Sequence, residues 1–90
     1  MKREDQFERY LLEDVPRITS EIAVKRRLYL IRDVEKTLGI VIDDYMSEEK
    51  MEELILRIRE FDNQRAGRQN AVRHYYTFTT GEVFPKIKNA

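Results

Sequence analysis

Two sets of side chains in this sequence have types and spacing suited to recognition chemistry. Lys25, Tyr29, Arg32 and Lys36 recur at i, i+4, i+7 and i+11, which gathers three cations and an aromatic in one stripe of a helix. No acid stands among them, and Arg26 lies beside the row. Such a row suits a phosphate backbone, because each Lys or Arg that neutralises a phosphate releases a condensed counterion. Further along, Gln69, Asn70, Arg73 and Thr77 share one side of a second helix, with Arg65 leading into it and no acid interrupting. Arg pairs with guanine, and Asn or Gln with adenine, at base edges in a major groove, so this face can read sequence. Each set has a plainer reading. A Lys/Arg row beside an apolar arc also forms a solvated border that snorkels over apolar surface. A Gln/Asn/Arg/Thr face can equally be an exposed helix side.

No comparable constellation exists for catalysis. His74 is the single histidine and there is no cysteine, so a thiolate nucleophile, a Cys/His metal site and a disulfide framework are all excluded. The three glycines are scattered and form no phosphate-cradling loop. Tyr10 and Tyr45 have no adjacent basic set to activate them. The expectation is a chain with no catalytic residue, no metal, no cofactor and no small-molecule substrate.

The elements that must position the two sets follow from apolar spacing. Phe7, Tyr10 and Leu11 at i, i+3, i+4 predict a first helix over about 3–14, which Pro16 ends by biasing Val15 toward extended backbone. Thr19 or Ser20 can cap a second helix over 20–38, with Val24, Leu28, Ile31, Val34 and Leu38 inside and Gly39 as the left-handed stop. Ile40-Val41-Ile42 has no partner strand and reads as a tether against the core. Ser47 opens a third helix over 47–61, with Glu48 and Glu49 in its first turn and Met51, Leu54, Ile55, Ile58 and Phe61 buried. A fourth, over 65–80, carries Ala71, Val72, Tyr75 and Phe78 on its core side. Gly67 lies near its start and Gly81 just past its end. Arg68 falls toward the core side, where an internal salt bridge is expected. Val83-Phe84-Pro85 packs or extends, within an 83–90 segment that reads as a tail. The pattern is an all-α, compact four-helix bundle in a single domain, 1–90.

Composition bounds the function classes. Charged residues make up 38% of the 90, against about 25% in an average domain. Yet 17 Lys and Arg oppose 17 Asp and Glu, so bulk charge gives no argument for nucleic acid or membrane. The distribution is uneven. Residues 47–62 hold Glu48, Glu49, Glu52, Glu53, Glu60 and Asp62 against Lys50, Arg57 and Arg59, whereas 64–90 hold Arg65, Arg68, Arg73, Lys86 and Lys88 against Glu82 alone. Apolar runs such as Leu54-Ile55-Leu56 reach three residues, far short of the ~20 a membrane span needs. The charged opening Met1-Lys2-Arg3-Glu4-Asp5 is no signal peptide. A cytoplasmic protein with no membrane association is expected.

The segment Ala71-Val72-Arg73-His74-Tyr75-Tyr76-Thr77-Phe78, followed by Gly81 and Pro85, resembles the closing helix of the SAM-like, core-binding domain of phage integrases and other tyrosine recombinases. That pattern runs small residue, Leu, Arg, any, aromatic, aromatic, any, Phe, then Gly and a nearby Pro. Ser20, Val24, Leu28 and Ile31 fall where the family's second helix carries Ser/Thr, Tyr, Leu and Phe, so two aromatics are replaced. Phe7, Tyr10 and Leu11 resemble its first helix. The resemblance covers nearly the whole chain and implies half of a clamp around duplex DNA, with the second and fourth helices against it. The family's catalytic residues lie in a following domain that this chain does not contain, so either a part of a recombinase or a stand-alone relative is implied.

The expectation is therefore a non-catalytic duplex-DNA-binding module of the kind used in DNA integration and recombination. Lys25, Arg26, Arg32 and Lys36 would lie on phosphates, Gln69, Asn70 and Arg73 would approach the groove, and Tyr29 and Arg65 complete the DNA-binding set. The alternative is a helical protein-interaction module whose acidic third helix docks a basic partner or a second copy.

Overall fold

Helix ends in this chain are set by local hydrogen-bond chemistry. The computed structural model describes residues 1–16, 18 and 20–85, and they form helices α1 (Glu4–Asp14), α2 (Glu21–Leu38), α3 (Glu48–Ile58) and α4 (Gly67–Thr80). A short 3₁₀ turn, Ile42–Tyr45, precedes α3, and there is no strand among the described residues. Ser20 caps α2 by accepting from the Ala23 N–H at 3.2 Å, and Ser47 caps α3 by accepting from Lys50 N–H at 3.3 Å. Thr19, the other candidate cap, lies outside the described residues. Gly39 and Gly81 close α2 and α4 at φ +66° and +78°, a conformation a Cβ would oppose. Val15 is extended before Pro16, which ends α1.

Two boundaries differ from the apolar pattern. α3 ends at Ile58, not 61, because its last turn tightens: the Glu60 and Phe61 N–H groups bond the carbonyls of Arg57 and Ile58, three residues back. α4 starts at Gly67, not 65, because Asn63–Ala66 form a separate turn. There the Asn63 Oδ1 accepts from the N–H groups of Arg65 and Gly67, and Ala66 takes a left-handed φ of +56°.

The side chain that starts α4 is Asp62. Ala66 has no side chain able to cap, and Asp62 replaces it from four residues earlier. Its Oδ1 accepts from Arg68 N–H at 3.0 Å and its Oδ2 from Gln69 N–H at 3.1 Å. The same carboxylate takes the Asn63 N–H and the Gln69 amide, lies 3.5 Å from Arg68 Nη1, and is 1% exposed. Burial alone would raise its pKa, but the N–H groups of Gln69, Arg68 and Asn63 outweigh that and hold it below the ordinary carboxylate value. Arg68 also donates from Nε to Asp33 of α2 at 2.7 Å, the internal salt bridge its core-side position implied. Next to it, α4 approaches α2 closely: a Cβ on Gly67 would stand 3.3 Å from Leu30 Cδ1 and 3.0 Å from Asn63 Nδ2.

The core lies where the four apolar stripes converge. α2 packs chiefly on α4 and also on α1, while α3 packs on α4 and the 3₁₀ turn. Phe7 and Leu11, Val24, Leu28, Ile31 and Val34, Met51, Leu54, Ile55 and Ile58, and Ala71, Val72 and Tyr75 are all buried. Phe7 meets Tyr75 edge-on at 4.9 Å, a favoured aromatic geometry, and Phe78 lies 5.5 Å from Phe7. Tyr75 keeps its hydroxyl partnered, donating to Asp43 Oδ2 at 2.6 Å. Ile42 is fully buried, so the apolar tripeptide after Gly39 does reach the core through its last residue. Four residues outside the expected stripes are also buried: Ile18, Leu30, Tyr76 and Phe84. Phe84 lies within the expected 83–90 tail, yet it meets the Tyr76 ring edge-on at 5.3 Å; residues 86–90 lie outside the described residues.

Asp62→Ala removes the cap of α4 and leaves Arg68 with one partner, so urea denaturation is expected to show a loss of about 2–4 kcal/mol. An exposed α1 control, Asp5→Ala, should stay within about 0.5 kcal/mol of the parent. Because the folded-state pKa of Asp62 is depressed, its stabilisation is full above the unfolded-state value. It declines as pH falls from there and is gone below the native-state pKa. The parent should therefore lose more stability than Asp62→Ala below about pH 4.

Candidate functional site

The apolar arc of α2 divides its polar side chains between two flanks. Lys25, Arg32 and Lys36 lie on the flank beside α1, and Tyr29 stands at the centre of the outer face with 60% exposure. Arg26 lies on the other flank, beside α4, where it lines a small cavity with Arg27, Leu30, Gly67 and Asn70.

The α1 flank is less basic than α2 alone would make it. Arg32 donates from Nε to Glu4 Oε1 at 3.0 Å, and its Nη2 bonds the other oxygen of the same carboxylate. This pair raises the Arg32 pKa, with Glu8 and Glu35 adding to the effect. An acid-free stripe within one helix is thus met by acids from its neighbour. Lys25 likewise borders a shallow cavity with Glu8 and Glu21. Lys25, Arg26, Lys36 and Arg65 are exposed and make no ion pair among the described residues.

On α4 the expected groove-reading set splits. Gln69 is turned inward: its Nε2 donates to Asp62 at 3.1 Å and its Oε1 accepts from Arg59 Nε at 3.3 Å, so both ends of the amide are engaged. Arg73 is half-buried. Its Nη1 donates to the Phe84 carbonyl at 3.1 Å and its guanidinium lies over the Phe84 ring at 5.2 Å. Asn70 is exposed and reaches only the Arg65 carbonyl, at 3.4 Å. Of the expected α4 set, Asn70, Arg73 and Thr77 remain beside α2, while Gln69 belongs to the scaffold.

A cleft lies where α2, α4 and the segment after Gly81 meet. It has a volume of about 430 Å³ and is lined by Arg27, Asn70, Arg73, His74, Thr77, Val83 and Phe84. No carboxylate is among these lining residues. Arg27 and Arg73 both have lowered pKa values, chiefly through burial, with Arg26 and Arg59 adding like-charge repulsion. Arg27 was absent from the residues singled out in the sequence. The available signal was its place inside the apolar arc, three residues after Val24 and four before Ile31, where a cation is forced to half-bury. The cavity through Arg26 and Asn70 shares Arg27 and Asn70 with this cleft, so the two form one basic seam.

A separate cleft of about 510 Å³, between the end of α2 and α3, is lined by Gly39, Ile40, Val41, Asp44, Tyr45, Lys50 and Glu53. Its two acids and one lysine give it no cationic character. Among the described residues, no group of three His, Asp or Glu side chains is placed to hold a metal, and no helix is long and apolar enough to cross a membrane.

Comparison with protein-family models, with curated proteins and with solved structures gives no match.

Arg73 ties the segment after Gly81 to α4. Arg73→Ala is expected to cost about 1–2 kcal/mol and to expose Phe84. Hydrogen exchange should show faster amides at 82–84 while α1 and α3 keep their protection.

Proposed function

We propose that this chain is a non-catalytic module that binds duplex DNA through the α2–α4 side of the bundle. The observation that carries the reading is the seam itself: Arg26 of α2 and Asn70 of α4 border one cavity, and Arg27 and Arg73 line the cleft that continues it. Arg65 stands before α4, and Lys25 and Lys36 lie across the outer face of α2 toward its α1 flank, all exposed and without an ion pair among the described residues. These supply the salt-sensitive phosphate attraction, and Asn70 and Tyr29 are the exposed groups able to meet base edges or sugars. The integrase-like pattern of the second and fourth helices supports the same side, and on that likeness the module is one half of a DNA clamp. Gln69 leaves the contact set, since its amide is occupied within the fold. Arg32 enters it only at the expense of its Glu4 pair.

A second reading has its own observation. Leu56 on α3 is 44% exposed, with Glu52 and Glu53 one turn before it, a small apolar spot in an acidic surface that suits a basic partner or a second copy. Light scattering showing a dimer, with no binding of duplex, would favour it.

Fluorescence anisotropy of a ~20 bp duplex at about 50 and 200 mM salt decides between them. Binding that weakens steeply with salt is expected, and Lys25→Ala/Arg26→Ala/Lys36→Ala should lower the slope of log K against log[salt] by roughly 2–3. Absence of binding at tens of micromolar at the lower salt would refute the proposal. Glu4→Gln frees Arg32 at a cost of at most about 1 kcal/mol, since exposed pairs contribute little. It should tighten duplex binding, with a salt slope larger by about one.

A further inference from the structure

The cleft between α2, α4 and residues 83–84 is more than a wall of the DNA-binding side. It holds two half-buried guanidiniums and no lining carboxylate. Two other arginines of the fold are paired with acids: Arg32 with Glu4, and Arg68 with Asp33 and Asp62. Arg27 uses one nitrogen, Nη1, on the Ala23 carbonyl at 3.2 Å, and its buried Nε–H finds no acceptor. Arg73 uses one nitrogen, on the Phe84 carbonyl. Both therefore retain donors, and a buried donor without an acceptor is costly unless a ligand supplies one. Asn70 and Thr77 add polar groups, and Val83 and Phe84 add an apolar side. The volume, about 430 Å³, is that of a small-ligand cleft and exceeds what a bare anion fills.

We infer that this cleft is a phosphate-ester site, in which Arg27 and Arg73 grip one phosphoryl group while its sugar lies toward Val83 and Phe84. Guanidinium forks match phosphate oxygens bidentately, and two of them converging on one cleft suit a phosphate better than a carboxylate-sized or neutral ligand. The phosphate can come from a DNA backbone, in which case the inference rests on the duplex-binding reading, or from a free nucleotide.

The test titrates the ¹⁵N-labelled chain with deoxyadenosine monophosphate, inorganic phosphate and deoxyadenosine, reading the arginine Nε–Hε cross-peaks. Arg27→Gln is assayed alongside on the duplex at about 50 mM salt, its fold checked by circular dichroism. The inference predicts that the monophosphate, and more weakly inorganic phosphate, moves the Arg27 and Arg73 cross-peaks while deoxyadenosine leaves them in place. Arg27→Gln should then weaken duplex binding about tenfold and reduce the salt slope by about one. Cross-peak movement by the monophosphate with no duplex binding by the parent would support the site, assign it to a free nucleotide and refute the DNA reading. Duplex binding by the parent that Arg27→Gln leaves intact, with no cross-peak movement by the monophosphate, would overturn the site and leave the exposed cations of α2 as the DNA surface. Where Arg27→Gln fails to fold, the cross-peak titration of the parent alone decides.

Discussion

The start of α4 is the constraint from which the rest of this fold follows. A helix presents unsatisfied N–H groups at its N-terminus, and the residue in the capping position here, Ala66, has nothing to offer them. Asp62 satisfies them from the end of α3, and so fixes the angle at which the chain turns between the two helices. The same carboxylate steadies Arg68, which reaches across to Asp33 and fastens α4 onto α2. One side chain thus couples three helices. Asp33 and Asp62 are thereby engaged in structure, while Arg27 and Arg73 line a cleft whose lining residues include no carboxylate.

Much of the architecture was legible in one dimension. Ser20, Ser47, Gly39 and Gly81 announced their caps, and the spacing of Val24, Leu28 and Ile31 gave the buried face of α2, because caps and periodicity are properties of neighbours in sequence. What escaped depended on contacts between distant segments. Arg32 lay in an acid-free stripe of its own helix, yet Glu4, 28 positions earlier, neutralises it. Gln69 lay on the polar side of α4, yet Asp62 and Arg59 hold both ends of its amide. A helical wheel treats each helix as if it stood in water, and both residues border a neighbouring element.

The converse error is equally physical. Arg27 escaped because it interrupts an apolar arc, and Phe84, which follows a helix stop, could be read only as packing or extending. Their meaning appears only when Gly81 folds the chain back and places Phe84 against Tyr76, with Arg27 and Arg73 at the same cleft. The proposed duplex-binding reading treats helices α2 and α4 as a pair. It does not indicate which flank of α2 faces α4, and that division separates the Lys25 and Arg32 side from Arg26.

The close approach at Gly67 has a mechanical consequence. Leu30 and Asn63 stand so near its Cα that a methyl group there would act as a wedge between α2 and α4. Where Leu30 and Asn63 do not yield to it, the start of α4 moves off α2, and with it the wall of the adjoining cavity lined by Arg26, Arg27 and Asn70. A surface assembled from two helices behaves like the jaws of a calliper. Its opening is set at the pivot, so a change of a few tenths of an ångström at Gly67 would be carried to the spacing between the cations of α2 and the polar side chains of α4.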